Sequence, residues 1–372
     1  MSSAPQPAKV LARAEQQLRE LWSAPPAEGQ PPRTRASTMN LVVVAPGPSL
    51  LLPWVAVVDQ VLQGVPARAI VVGLDPDGVD DIEATVSPIC PPGSGNVVCA
   101  ERVTLKLQGA LCGRVASCVD ALCASEVPTT LVWLARVRIE DPTFAPLAQW
   151  AHRIVLEATH GSLGSLAHVV KWARGRLPGE RPGISELAWT RLAPWQELCA
   201  RMFDDARLRE LAVGVTRVRL VQASAPGAEL GPEGALLLGW LATRLGWKAS
   251  SFAGKLRMLR ADGGALLVQL HAETAPAMPR GGLLAVEIEA RGGEVSLHGE
   301  IARARGEDGA GAWRVEIKSG GESQRVEQRV RTFDDEPARI LQRTLRRRVH
   351  DDALAESVLW ADEIGDDELV CS

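Results

Sequence analysis

The hydrophobic rhythm of this chain changes once, and that change limits the folds open to it. From residue 38 to residue 175, apolar runs of strand length alternate with helical patterns. From residue 214 onward, short extended runs follow one another, broken by turns such as Asp262-Gly263-Gly264 and Arg291-Gly292-Gly293. Strands separated by helices imply crossovers and a mainly parallel, doubly wound sheet. Strands separated by Gly turns imply hairpins and an antiparallel sheet.

The expected fold is therefore α/β: a mainly parallel, Rossmann-like sheet with helices, then an α+β domain with an antiparallel sheet. In the first half, strands are expected at 38–44, 67–73, 82–89, 100–108, 129–135 and 153–158, and helices at 49–63, 110–123 and 162–175. In the second, extended runs at 214–222, 248–259, 265–272, 282–290, 293–301, 312–318 and 324–332 surround a helix from Pro232 to Leu245. Gly231-Pro232-Glu233 opens that helix and Gly246 stops it. Residues 1–32 read as a leading helix (8–22) and a Pro-rich linker, 33–208 as the α/β domain, 209–364 as the α+β domain, and 365–372 as an acidic tail. The boundary is expected near 206–212.

At 372 residues and 46% hydrophobic content the chain can bury two cores. A net charge of −4 argues against a general nucleic-acid binder. The apolar stretch Leu41–Val58 is long, but Pro46, Gly47, Pro48 and Pro53 interrupt it, so no membrane span is expected. No secretory segment is visible, and seven cysteines is an odd number; both fit the cytoplasm.

One stretch stands apart: Glu186-Leu187-Ala188-Trp189-Thr190-Arg191-Leu192-Ala193-Pro194-Trp195. Pro194 suits a first helical turn. From there Trp195, Leu198, Cys199, Met202 and Phe203 form one apolar stripe, the pattern of a helix packing its own core. Trp189 and Arg191 precede that helix. Both residue types are enriched at binding hot spots, and Arg191 could equally hold a carboxylate of its own domain.

This stretch resembles the "DLAWTR-x-x-PW" motif of the glucose-6-phosphate dehydrogenase assembly proteins, the OpcA family. Arg35-Ala36-Ser37-Thr38-Met39-Asn40-Leu41-Val42-Val43-Val44 is similar to that family's Arg-x-Ser-x-x-Asn-Leu-Val-Val run. Glu186 stands where the family typically has Asp, and Gln196 where it often has Arg. The resemblance implies a non-enzymatic partner of glucose-6-phosphate dehydrogenase. It singles out Trp189, Arg191, Trp195, Arg35 and Asn40 as partner-binding residues.

Other motifs that carry chemistry are incomplete in this chain. Gly254-Lys255 lacks the first Gly and the hydroxyl residue of a phosphate loop, and Gly309-Ala310-Gly311 has Arg314 in place of a third Gly. Ala45-Pro46-Gly47-Pro48 leads from strand to helix, and Asp75 follows the next strand, where a ribose would be held. Two prolines there remove backbone donors, so this echo of a nucleotide site is degenerate, and Asp75-Pro76-Asp77-Gly78 also reads as a surface turn. It supports only the alternative of a nucleotide- or sugar-phosphate-binding regulator. No Gly-x-Ser-x-Gly elbow and no zinc spacing of histidines occurs, so no catalytic residue, metal or cofactor is expected. Cys112, Cys118 and Cys123 on one continuous helix could not pair, whereas Cys90 and Cys99 could meet if the chain doubles back.

The acidic Asp334-Asp335-Glu336 and the basic Arg346-Arg347-Arg348 fit the two ends of one helix. An anion-binding patch is the other reading of the Arg run.

Overall fold

In chain order the first-half elements are α1 (Pro7–Ser23), β1 (Arg33–Arg35), β2 (Asn40–Pro46), α2 (Pro48–Leu62), β3 (Arg68–Asp75), β4 (Asp81–Ile89), β5 (Val97–Gln108), α3 (Val115–Leu122), β6 (Thr129–Trp133), α4 (Phe144–Trp150), β7 (Arg153–Leu156), α5 (Leu163–Arg174) and β8 (Gly183–Glu186). This computed structural model describes residues 6–23, 33–91, 97–157, 163–225, 228, 230–252, 255–276, 278–304 and 309–364. The expected linker Pro25–Pro32, the acidic tail, His160 and Gly254 lie outside them.

The first sheet runs β1-β5-β3-β2-β6-β7-β8, with β4 on β5. The pairs β1–β5, β5–β3, β3–β2, β2–β6 and β6–β7 are parallel, and β4–β5 is antiparallel. β3 is buried at every residue from Ala69 to Leu74, as a strand covered on both faces must be. The expected helix 110–123 is broken: Gly109–Arg114 is a tighter 3₁₀ turn and α3 begins only at Val115. Gly109 has φ +59° and Arg114 has φ −101°, ψ 11°, so neither end of that turn is α-helical. α1 packs within this unit, burying Ala14 and Leu18, and the Trp22 indole donates to buried Glu101 at 2.6 Å.

The second half holds α6 (Leu187–Arg191), α7 (Ala193–Arg201), α8 (Ala206–Arg209), β9 (Val215–Ala223), α9 (Pro232–Leu245), β10 (Lys248–Phe252), β11 (Lys255–Leu259), β12 (Ala265–Glu273), β13 (Leu283–Gly292), β14 (Val295–Arg303), β15 (Ala310–Ser319), β16 (Glu322–Arg331), α10 (Pro337–Arg346) and α11 (Asp352–Ile364). The second sheet runs β10-β11-β12-β9-β13-β14-β15-β16. All its pairs are antiparallel except β12–β9. α9 ends at Gly246 in the left-handed region, φ +69°. A Cβ on Gly239 would run into the Ser357 carbonyl, so α9 and α11 cross closely at that glycine.

One face of this sheet is apolar; the other carries cross-strand ion pairs. Arg217 meets Glu289 at 2.6 Å, Arg219 meets Glu287 at 2.6 Å, and Arg314 lies between Glu300 (3.1 Å) and Glu327 (2.8 Å). The two glutamates hydrogen-bonded to Arg314 push its pKa up, and Arg314 in turn lowers that of Glu327.

The chain forms two units from interleaved segments. The first comprises Met1–His160, Lys171–Ser185 and Glu336–His350, and the second Gly161–Val170, Glu186–Asp335 and Asp351–Ser372. α10 belongs to the first unit, although it follows the whole second sheet in the chain.

Within the first unit, buried Arg153 reaches the C-terminal end of α10. Its guanidinium donates to the carbonyls of Thr344 (2.6 Å), Leu345 (3.2 Å), Arg347 (3.3 Å) and Arg348 (3.4 Å), and to Ser185 Oγ (2.9 Å). A cation at a helix C-terminus is the favourable sign. The helix end is thus served by Arg153 as well as by the basic residues of its own last turn. No acidic residue lies in the first turn of α10: Asp335 precedes it and pairs with Arg303 at 2.5 Å.

Candidate functional site

β8 delivers the chain directly into α6. Glu186 is extended (φ −139°, ψ 135°), fully buried, and its carboxylate accepts from the Trp189 N–H at 2.6 Å. That is an N-cap: the side chain satisfies a donor that the first helical turn leaves open. Asp, the residue typical of the resembled motif, can do the same.

Once α6 is started, its two signature side chains are fixed by the N-termini of two other helices. Trp189, 4% exposed, donates from Nε1 to Asp351 Oδ2 at 2.8 Å. Asp351 Oδ1 in turn accepts from Leu354 N–H at 3.1 Å in the first turn of α11. Arg191, 8% exposed, pairs through Nε with Glu233 Oε1 at 2.7 Å. Glu233 sits in the first turn of α9, and its Oε2 accepts from Leu283 N–H at 2.9 Å where β13 begins. α6 thereby ties α9, α11 and β13 together.

Trp195 is fully buried on α7, its ring 4.7 Å from Phe333 and 5.8 Å from the Arg303 guanidinium. Among the described residues the indole N–H has no hydrogen-bond partner, so the contribution of Trp195 seen here is packing. Leu198, Cys199 and Met202 are buried beside it, as the stripe required, and Phe203 is half-buried.

Asn40 opens β2 in the first unit and is also internal. Its amide donates to Ala124 O (2.9 Å) and Thr129 Oγ1 (3.1 Å) and accepts from Ala124 N–H (2.9 Å). It clamps the connection between α3 and β6. Arg35 ends β1, whose backbone pairs with Cys99 of β5; its side chain lies outside the described residues.

So the structure places Trp189, Arg191 and Trp195 on α6 and α7 of the second unit, each with different partners, and Asn40 in the first. Each of these four is buried and engaged internally or packed in the core. Sequence reading missed their partners Glu233 and Asp351. Asp351-Asp352 ahead of the apolar run of α11 was the available signal for a capping residue.

The remaining chemistry is sparse. Among the described residues no His/Cys/Asp/Glu group could hold a metal ion, and no helix is long and apolar enough to cross a membrane. Asp75 accepts from Gln108 Nε2 at 3.1 Å, and Gly78 N–H closes a turn onto the Asp75 carbonyl. Cys90 and Cys99 are joined as a disulfide, with Cα atoms 4.4 Å apart. Cys112, Cys118, Cys123 and Cys199 are free. Burial raises the first two thiols and pushes Cys123 and Cys199 up to about 12, so all four stay protonated and poorly nucleophilic at neutral pH.

Two family models match the chain. Residues 58–171 fit the glucose-6-phosphate dehydrogenase subunit N-terminal domain, and residues 182–358 fit the corresponding C-terminal domain. The chain is 28% identical over 204 residues to an OxPP cycle protein OpcA of Nostoc punctiforme, covering 53% of this chain and 41% of that protein. It is 23% identical over 320 residues to the protein of the same name in Synechocystis, covering 81% and 64%. With a third match in Synechococcus elongatus, the aligned parts span from 39% to 64% of the relatives' own lengths. Among solved structures, a glucose-6-phosphate 1-dehydrogenase from Mycobacterium avium aligns over 91% of this chain and 94% of its own, at 13% identity and a TM-score of 0.49. A 3-ketoreductase from Actinomadura kijaniata aligns at 11% identity and 0.47. Likeness at that level is too weak to set either fold or activity. The two family models lie in tandem, in the same order as the two sequence blocks, and the chain belongs to the OpcA-like glucose-6-phosphate dehydrogenase assembly family.

Proposed function

We propose that this protein is a non-enzymatic partner of glucose-6-phosphate dehydrogenase that favours the enzyme's active oligomer and so supports NADPH production in the oxidative pentose phosphate pathway. The observation that carries this reading is the tandem match of both subunit domains along one chain. The mechanism is a population shift: the protein binds the active assembly better than the inactive one. Raising an active fraction from about 10% to about 90% needs roughly 80-fold preferential binding, about 2.6 kcal/mol. Such a preference requires complementary surfaces and no catalytic group.

In this reading Trp189, Arg191, Trp195 and Asn40 contribute to binding by fixing the elements around them, and Arg35 contributes from β1. Titrating the dehydrogenase with this protein tests the proposal, with activity, substrate affinity and oligomeric mass as readouts. No change in any of the three rejects it. Replacing Trp189 or Arg191 with Ala, with complex formation and circular dichroism measured together, tests the residues. Loss of the complex in a folded variant supports their role, and loss of the fold returns them to the core alone.

A second reading rests on one observation. The parallel strands run β5-β3-β2-β6-β7, the third-second-first-fourth-fifth order of doubly wound, Rossmann-like nucleotide-binding sheets. Against it stand Pro46 and Pro48 at the first strand-to-helix turn and the Gln108 contact on Asp75. Calorimetry with NADP, NAD and glucose 6-phosphate separates the two, because the assembly role requires binding of none.

A further inference from the structure

We propose that β16 is a homodimerisation edge: two copies of this chain pair their β16 strands antiparallel about a two-fold axis through Val326. This does not depend on the dehydrogenase reading.

Among the described residues β16 is the last strand of its sheet and pairs only with β15. It is ten residues long, and its register with β15 runs unbroken from Glu322 to Arg331. Eight of its residues are exposed, and Val326 and Val330 are half-buried. Edge strands are usually protected by being short, bulged, Pro-containing or charged. This one has no Pro and no register shift, and its charges are of both signs, so whether they protect it depends on the register in which a second strand would pair.

Its two faces are settled by β15. Val326 lies opposite buried Val315 and continues the apolar face. Arg325 lies opposite Glu316 and Glu327 opposite Arg314, continuing the charged face. A two-fold axis perpendicular to the sheet keeps these faces aligned between copies, and the sequence then selects the register. With the axis at Val326, residues 322–330 pair: Val326 meets its own copy, Arg325 meets Glu327 on both sides, and Gln324 meets Gln328. No like charges face each other. An axis at Arg325 opposes two arginines, one at Glu327 opposes two glutamates, and one at Gln328 sets Arg325 against Arg331. Opposite charges directly across an antiparallel pair stabilise it, and like charges destabilise it. The strand is therefore complementary to itself, as an isologous interface requires.

The full chain in sedimentation equilibrium should show about twice the 39.8 kDa chain mass. Arg325→Glu or Glu327→Arg alone should weaken the dimer about tenfold or more, since each reversal opposes like charges at two symmetry-related positions. The double swap R325E/E327R should restore it. In a Cys371→Ser background, Val326→Cys should cross-link on mild oxidation, because Cα atoms on the axis lie about 4.5–5.5 Å apart. Gln328→Cys should not, its two copies being offset by roughly 13 Å along the strand. Thermal unfolding confirms that each variant is folded. A monomer at high protein concentration, a dimer indifferent to the single reversals, or equal cross-linking at residues 326 and 328 would overturn the proposal.

Discussion

Replacing Arg191 with Met should destabilise the second unit far more than the loss of an ordinary ion pair. The side chains of Arg191 and Glu233 are 8% and 4% exposed, so water cannot replace the guanidinium. Met keeps most of the aliphatic stem, which limits the packing loss. Glu233 would retain only the Leu283 N–H at Oε2, and the charge on Oε1 would lose its Arg191 donor. Stranding one partner of a buried pair costs about 3–5 kcal/mol, against about 0–1 for an exposed pair. In a unit of this size that corresponds to a melting shift of roughly 6–20 °C. The double variant R191M/E233Q removes both charges, and the Gln carbonyl can still accept from Leu283. It should therefore be more stable than R191M alone by about 2 kcal/mol or more. Urea denaturation followed by tryptophan fluorescence and circular dichroism gives both numbers. A cost below about 1 kcal/mol for R191M, or a double variant worse than the single, would refute the argument.

Three further outcomes are expected. Trp189→Phe should cost more than Trp195→Phe by about 1.5–3 kcal/mol in denaturation, because only Trp189 loses a hydrogen bond to a carboxylate. Asn40→Ala should cost about 1–2 kcal/mol, since it removes the side-chain partner of both the N–H and the carbonyl of half-buried Ala124 in the first unit; equal stability of the variant would discount the clamp. Burial raises the Cys199 thiol to about 12, so the folded state holds its proton while the unfolded thiol ionises from about 8.5. The stability it supports is complete below the unfolded pKa and falls with rising pH toward 12, by about 1.4 kcal/mol per pH unit. Cys199→Ala should flatten that decline between pH 9 and 11 relative to the parent.

How much was legible in the sequence depended on whether the signal was local. α9 runs from Pro232 to Leu245 as read, because Pro at its start and a left-handed Gly at its end are both short-range signals. The hairpins of the second sheet were visible from alternation and Gly turns. β8, with four residues, and α6, with five, are too short for periodicity and were missed. Of the site, the apolar stripe from Trp195 was readable. What Trp189, Arg191 and Asn40 touch was not, because Asp351, Glu233 and Ala124 lie 162, 42 and 84 residues away. Hot-spot residue types suggested contact with another protein, while the geometry gives these side chains capping and clamping tasks within the chain.

The acceptors that Arg153 finds at the end of α10 also bear on how the molecule comes into being. During synthesis every strand of the first sheet has been made once Glu186 is added, yet Thr344 to Arg348 follow only after the whole second sheet. Until then the nascent chain carries a guanidinium destined for the interior with no carbonyls to receive it, and α2 lacks the helix that packs on it. The first-made unit therefore stays unfinished until the second sheet has been made. Contacts separated by more than 190 residues form late and slowly, which leaves that unit dependent on the chain being completed.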